Sequence, residues 1–187
     1  MRLLLALGFL LPFFASPASA ADNCAFDRSK LLAQDLHTFD QSENGLHGLN
    51  TKHPGCDAAL ADLVADYRKA HPEVLKSGNS YLLYWHEGQY RASAGQYPQA
   101  EELFEQSRLP AGAAFAMWNL YVDATVAFVR QDRPALLKAH AKLAGLPPEA
   151  YAPDPKPMNL DVVAGLVRCL GRSYTEAYGS PACRKGQ

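Results

Sequence analysis

The sequence has no apolar run long enough to cross a bilayer, which takes about 20 residues in a helix. Its first apolar stretch extends only from Leu3 to Phe14, after the basic residue Arg2. Ala18-Ser19-Ala20 follows it as a small-x-small cleavage pattern, which is typical of a secretory signal peptide. We therefore predict a cleaved signal peptide at residues 1–20 and a single exported domain over 21–187, with no stable membrane insertion after cleavage. An uncleaved anchor helix is the alternative interpretation.

The sequence also lacks an excess of charge of either sign. It has 18 Lys and Arg residues against 19 Asp and Glu residues, a formal net charge of −1. Nucleic acid and anionic lipid both favour a protein with a basic face. The composition therefore predicts that neither is the main partner.

Known catalytic and metal-binding patterns are missing as well. The sequence contains no C-x-x-C pair, no Gly-rich phosphate loop, no G-x-S-x-G elbow and no S-x-x-K motif. His86-Glu87 begins like the zinc-protease pattern H-E-x-x-H, but Tyr90 stands where the second histidine is needed. We expect no metal, no cofactor and no enzymatic activity.

Cysteine is scarce but even in number. Cys24 and Cys56 lie near one end of the chain, and Cys169 and Cys183 near the other. In an oxidising compartment four cysteines should form two disulfides, and three pairings are possible. The local pairing Cys24–Cys56 with Cys169–Cys183 closes the shortest loops and is preferred. A long-range tie between the two ends is the alternative. Together with the signal peptide, this indicates the periplasm.

The remaining pattern is helical throughout. In the segment that starts at Asp57, a plausible N-cap, Leu60, Leu63, Val64 and Tyr67 follow the i, i+3, i+4, i+7 spacing of one helix face. Residues 27–40 and 159–178 carry similar stripes. Residues 41–55 are rich in turn formers, and 147–157 contain five prolines. We predict an all-α fold of about eight helices, with a turn-rich connection at 41–55 and a proline-rich connector at 147–157.

Residues 81–147 contain an internal repeat. At a shift of 37 residues, Leu83-Tyr84 aligns with Leu120-Tyr121, and Leu109-Pro110 aligns with Leu146-Pro147. Each copy reads as a long helix, a short break, a second helix and a terminating proline. This is the pattern of a helical-hairpin repeat protein.

The segment AGQYPQAEELFEQS, residues 94–107, resembles the second half of a tetratricopeptide repeat. Gly95 matches the turn, Ala100 the small residue where the two helices cross, and Phe104 a large position. Gly88 matches the small residue of the first helix. The resemblance implies stacked helical hairpins over 81–147, packed between terminal segments that the disulfides hold. The chain is also similar to exported proteins of Gram-negative bacteria, which implies no activity.

In helical repeats, the first helices of the hairpins line the concave face that binds partners. The resemblance therefore implies that Trp85, His86, Gln89, Asn119 and Asp123 form a partner-binding surface. The alternative interpretation is that the aromatic residues pack between the hairpins.

Three functions follow as hypotheses. The first is a periplasmic interaction module that binds a protein or peptide without catalysis. The second is an inhibitor or immunity protein against a toxin or hydrolase. The third is a small-ligand binder or enzyme that uses His86, Glu87 and Asp123. A pocket in which a carboxylate holds His86 would support the third hypothesis.

Overall fold

The computed structural model describes residues 24–184, and the predicted signal peptide lies outside these residues. The described chain is helical and contains no β-strand. In chain order the α-helices are α1 (Arg28–Leu32), α2 (Leu36–Gln41), α3 (Leu46–Lys52), α4 (Asp57–Ala70), α5 (Ser80–Ser93), α6 (Tyr97–Gln106), α7 (Ala116–Val129), α8 (Arg133–Ala144), α9 (Leu160–Arg168), α10 (Tyr174–Gly179) and α11 (Pro181–Arg184). The all-α prediction is confirmed.

Side-chain capping divides the ends of the chain into more helices than the apolar stripes suggested. The stripe over 27–40 is split, because the Asp35 carboxylate accepts a hydrogen bond from the Thr38 backbone N–H at 3.1 Å and begins α2. The Ser173 hydroxyl caps α10 in the same way, within a capping box completed by Glu176. The short helices α1, α2 and α10 therefore each begin at a side-chain cap.

The predicted turn-rich connection at 41–55 contains α3, so that prediction is wrong. Leu46 is fully buried in α3, and Leu49 packs against the same apolar cluster. Tertiary packing outweighs the weak local helix preference of a segment with several glycines.

Two helical hairpins occupy the centre of the fold. Helix α5 packs on α6, α7 packs on α8, and α6 links the two hairpins by packing on α7. Gly95 takes a positive φ of 75° at the first turn, and Gln131 takes 57° at the second. The spacing between these two residues is one residue shorter than the 37-residue shift of the sequence comparison. The alignment of Leu83-Tyr84 with Leu120-Tyr121 is therefore one residue out of register with the two turns.

The first hairpin is close-packed around a glycine. A Cβ atom at Gly88 would lie 2.8 Å from the ring of Phe104 and 3.4 Å from the backbone oxygen of Ala100. Because no side chain is present at Gly88, α5 and α6 can approach closely enough for Phe104 to be fully buried.

The core consists of two apolar clusters that meet at α5. Leu83 belongs to the cluster built by α1 to α4, whereas Trp85 belongs to the larger cluster built by α5 to α11. Two disulfides, Cys24–Cys56 and Cys169–Cys183, close the two ends. The preferred local pairing is confirmed. Among residues 24–184, no helix is long and apolar enough to cross a membrane.

Candidate functional site

A cleft of about 490 Å³ opens where the two core clusters meet, beside α5. Its volume lies in the range of small-molecule and cofactor sites, about 300–1,000 Å³. Helix α5 forms its floor with one face, contributing Leu82, Trp85, His86, Gln89, Tyr90 and Ser93. These positions recur at intervals of three and four residues, so they share one side of the helix.

Two further groups of residues form the walls. The wall from α3 and the start of α4 consists of Leu46, His47, Asn50 and Asp57. The opposite wall combines Trp118 and Tyr121 of α7 with Asn159 and four residues of α10, Tyr174, Thr175, Tyr178 and Gly179. The cleft is therefore built from both ends of the chain and the repeat-like centre.

Trp85 lies at the bottom of the cleft and is only 4% exposed. Its ring lies 4.5 Å from the ring of Tyr121, 4.8 Å from that of Phe104 and 5.0 Å from that of Trp118, measured between centroids. The expectation that aromatic side chains pack between the hairpins describes this residue well. Trp85 forms part of the floor, and Trp118 in the wall is less deeply buried than Trp85.

His86 is held by a buried carboxylate. Its Nδ1 atom lies 2.6 Å from Oδ1 of Asp40, whose side chain is 4% exposed, while the imidazole is 17% exposed. The His47 ring lies 6.2 Å away, edge-on. Because Nδ1 faces Asp40, the carboxylate favours the tautomer that carries its proton on Nδ1 and orients the ring.

Gln89 joins the floor of the cleft to its C-terminal wall. Its side-chain amide donates a long hydrogen bond of 3.4 Å to the hydroxyl of Tyr174 on α10. Tyr174 is anchored further, because the Tyr97 hydroxyl accepts a hydrogen bond from its backbone N–H at 3.2 Å. Burial raises the pKa of Tyr174, so this phenol stays neutral.

Asn119 and Asp123 lie outside the cleft, and both side chains are engaged within the fold. The Asn119 amide accepts from the backbone N–H of Leu109 and donates to its carbonyl, each at 3.0 Å. The Asp123 carboxylate accepts a hydrogen bond from Arg108 at 2.7 Å. Trp85, His86 and Gln89 line the cleft, whereas Asn119 and Asp123 do not. A partner-binding role for Asn119 and Asp123 stays a prediction.

Glu87 lies on a different side of α5 from His86, because consecutive residues of an α-helix are rotated by about 100° around its axis. Its carboxylate is 5% exposed and accepts hydrogen bonds from Arg68 at 2.8 and 2.5 Å. Arg91 lies 3.8 Å away on the same helix. The Arg68 guanidinium also lies 4.4 Å above the Tyr84 ring. Glu87 thus joins α4 to α5 as part of the core and does not line the cleft.

Sequence reasoning missed most of the cleft walls. His47 and Asn50 fall in the segment taken for a connection, while Thr175 and Tyr178 fall in a stripe considered only for packing. Asp57 was interpreted as a helix cap, whereas Cys56 occupies the N-cap position and Asp57 is the first helical residue. The cysteine positions could have pointed to these walls, because Cys56 directly precedes Asp57 and the Cys169–Cys183 disulfide encloses α10.

Burial and nearby acids raise the pKa of the phenol of Tyr90 in the cleft floor; among those acids, Asp40 acts more strongly than Asp57. Within residues 24–184, no group of three or more His, Cys, Asp or Glu side chains is placed to hold a metal ion. The residues that line the cleft can supply hydrogen bonds, aromatic faces and one imidazole oriented by a carboxylate.

Residues 24–184 form an all-α fold with two disulfides and a cleft between its two core clusters. Comparison of the chain with protein-family models, curated proteins and solved structures found no match. The function is therefore inferred from the residues of the cleft.

Proposed function

We propose that the protein is a periplasmic interaction module that binds a segment of a protein or peptide partner in the cleft, without catalysis. The observation that carries this proposal is the cleft itself, with a volume of about 490 Å³ and walls from three parts of the chain. Aromatic side chains combined with neutral polar groups are typical of protein interfaces. Here Trp118 and Tyr178 provide the apolar surface, and Asn50 and Gln89 provide hydrogen-bonding groups.

Preorganisation supports a binding role. The Cys24–Cys56 disulfide ends directly before Asp57, and the Cys169–Cys183 disulfide encloses α10. Each outer wall is thus tied covalently beside the residues that line it. A rigid site loses less conformational entropy when a partner binds, so more of the contact energy contributes to affinity.

The contacts of Glu87 and Asp123 argue against an enzyme that uses them with His86. Both carboxylates are committed to arginine side chains, Glu87 to Arg68 and Asp123 to Arg108. Neither lines the cleft, so of these three groups only His86 faces a ligand there.

Affinity capture with a cleft-filling variant tests the proposal. Thr175 is exposed on α10 and lines the cleft, so Thr175→Trp should place an indole in the site without disturbing the core. Glu102→Trp adds the same side chain to an exposed position of α6 away from the cleft and is the matched control. Disulfide-bonded wild type and both variants are used as bait in a periplasmic extract, and the bound proteins are read by mass spectrometry.

We expect a stoichiometric partner that binds the wild type and Glu102→Trp but not Thr175→Trp. A partner that binds all three baits equally would place the interaction elsewhere, and no partner for folded bait would contradict an interaction module. If the partner is a toxin or a hydrolase that the protein inhibits, the function becomes that of an inhibitor or immunity protein.

A second candidate function is a small-ligand binder or enzyme, which the contact between Asp40 and His86 favours. A buried carboxylate that orients an imidazole is a common arrangement for a general base. Native mass spectrometry after incubation with a periplasmic small-molecule extract tests this candidate. A bound molecule that is retained by the wild type and lost in Thr175→Trp would favour it over the protein partner.

A further inference from the structure

Among the described residues, the side chains that line the cleft include an acidic residue but no lysine or arginine. The acidic residue in the cleft is Asp57. The other titratable side chains that line it are two histidines and four tyrosines: His47, His86, Tyr90, Tyr121, Tyr174 and Tyr178. A second carboxylate, Asp40, lies behind His86 and contacts its Nδ1 atom. The fixed charge at the cleft is therefore negative.

Among residues 24–184, Asp57 is a carboxylate without a counter-ion. It forms no ion pair with another described residue, in contrast to Asp62 and Asp66 farther along the same helix, which pair with Arg91 and Arg28. The Asp57 carboxylate accepts a hydrogen bond from its own backbone, but burial outweighs this contact and raises its pKa. A partly desolvated carboxylate is stabilised when a cation approaches it.

Aromatic rings face the same space. Trp118 lies 6.0 Å from Tyr121 across nearly perpendicular ring planes, and Tyr178 stacks on Tyr174 at 5.5 Å. The phenol of Tyr90 is close enough to Asp57 for the carboxylate to act on its ionisation. Aromatic faces attract a cation within about 6 Å of the ring centroid, and the attraction grows when water is excluded.

We propose that the cleft binds an organic cation, with Asp57 as the counter-charge and with the rings of Trp118, Tyr90 and Tyr178 as aromatic surface in the wall opposite and the floor. This proposal rests on the proposed function, because it assigns the chemical group that the cleft accepts. The cation is an ammonium or guanidinium group, carried either by a lysine or arginine side chain of a peptide segment or by a free small amine. An anionic ligand would meet the charges of Asp57 and Asp40 with no lysine or arginine in the lining to offset them.

Binding of defined probes to the disulfide-bonded protein tests the assignment. The cationic probe is the capped tripeptide Ala-Lys-Ala, and its neutral isostere is the same tripeptide with norleucine in place of lysine. The n-butylammonium ion represents a free amine with the same terminal group. Isothermal titration calorimetry measures each affinity for the wild type, for Asp57→Asn and for the control Asp154→Asn, which removes an exposed acid of the connector.

We expect the lysine peptide to bind at least about tenfold more tightly than the norleucine peptide, and Asp57→Asn to remove that difference, since about 1.4 kcal/mol corresponds to tenfold. Asp154→Asn should bind like the wild type. Tighter binding of the peptide than of n-butylammonium identifies a peptide side chain as the source, and equal binding identifies the amine alone. Equal affinities for the two peptides, or an unchanged preference in Asp57→Asn, would overturn the assignment.

This outcome is separable from the proposed function. If neither cationic probe binds, but Thr175→Trp still releases a captured partner, the cleft remains the interaction site and only the cation assignment is wrong. If the partner is unaffected by Thr175→Trp, the interaction site itself is wrong, whatever the probes show.

Discussion

The buried carboxylate of Glu87 illustrates how a single residue can resemble a catalytic group and serve the core. It lies between two guanidinium groups, with Arg68 in direct contact and Arg91 at 3.8 Å. Water is largely excluded, since the Glu87 side chain is 5% exposed and that of Arg68 18%. Removing one partner of such a pair leaves the other charge desolvated, whereas replacing both by apolar residues is often tolerated.

Glu87→Ala should therefore lower the free energy of unfolding by about 3 kcal/mol. The double change Glu87→Leu with Arg68→Met should recover much of that loss, because no unpaired buried charge remains. Urea unfolding followed by circular dichroism measures both, with the exposed Glu102→Ala expected within about 0.5 kcal/mol of the wild type. If the double variant is less stable than Glu87→Ala, the attraction within the ion pair itself stabilises the fold, and an unpaired buried charge does not explain the loss in Glu87→Ala.

At the scale of helices, His71 connects the C-terminal end of α4 to α1. Its Nε2 atom lies 2.8 Å from the carbonyl oxygen of Leu32, and its Nδ1 atom lies 2.9 Å from the Glu73 carboxylate. Both neighbours are acceptors, so both ring nitrogens can donate only in the imidazolium form. The contact with Leu32, and secondarily that with Glu73, raises the pKa of His71 above its usual 6.5.

This geometry predicts a stability that depends on pH. Because the folded pKa is raised, the stabilisation is fully present below about pH 6.5 and is lost as the pH rises through the higher folded pKa. His71→Gln should lower the melting temperature at pH 6 and have a smaller effect at pH 8.5. Thermal unfolding across this range measures it, with the exposed His37→Gln as the control. An equal effect of His71→Gln at both pH values would show that protonation does not contribute.

At the scale of the whole molecule, the two disulfides hold the walls of the cleft. Cys169 and Cys183 are 14 residues apart in sequence and enclose α10, whereas Cys24 and Cys56 are 32 residues apart and end beside Asp57. A loop of about 15 residues corresponds to roughly 3 kcal/mol of stabilisation in the chain-entropy account. The covalent ties therefore affect both stability and the geometry of the site.

Replacing both Cys169 and Cys183 by serine should lower the free energy of unfolding by about 3 kcal/mol. It should also weaken capture of the partner at a temperature where the variant is still folded, because α11 is no longer tied to the end of α9 and the loop that contains α10 is no longer closed. Chemical unfolding and the capture assay are measured on the same preparation. Lost stability with unchanged capture would show that the noncovalent contacts of α10 are enough to position the wall.

Much of the fold could be predicted from the sequence because its signals are local. Stripes such as Leu60, Leu63, Val64 and Tyr67 repeat at the period of a helix, and all four residues are buried. The cysteine spacing favoured the two local disulfides, since short loops close most readily. The helix α3 could not be predicted in this way, because its formation depends on burying Leu46 against distant residues.

Less of the candidate site than of the fold could be predicted from the sequence. The tetratricopeptide-repeat resemblance pointed to Trp85, His86 and Gln89 on α5 as part of a partner-binding surface, and these three residues line the cleft. Only the tertiary structure brought Asp40, Asp57 and Thr175 to that face, and only it committed Glu87, Asn119 and Asp123 to other contacts. The physical reason is range: periodicity and capping act within a few residues, whereas a cleft arises from the packing of segments that lie far apart along the chain.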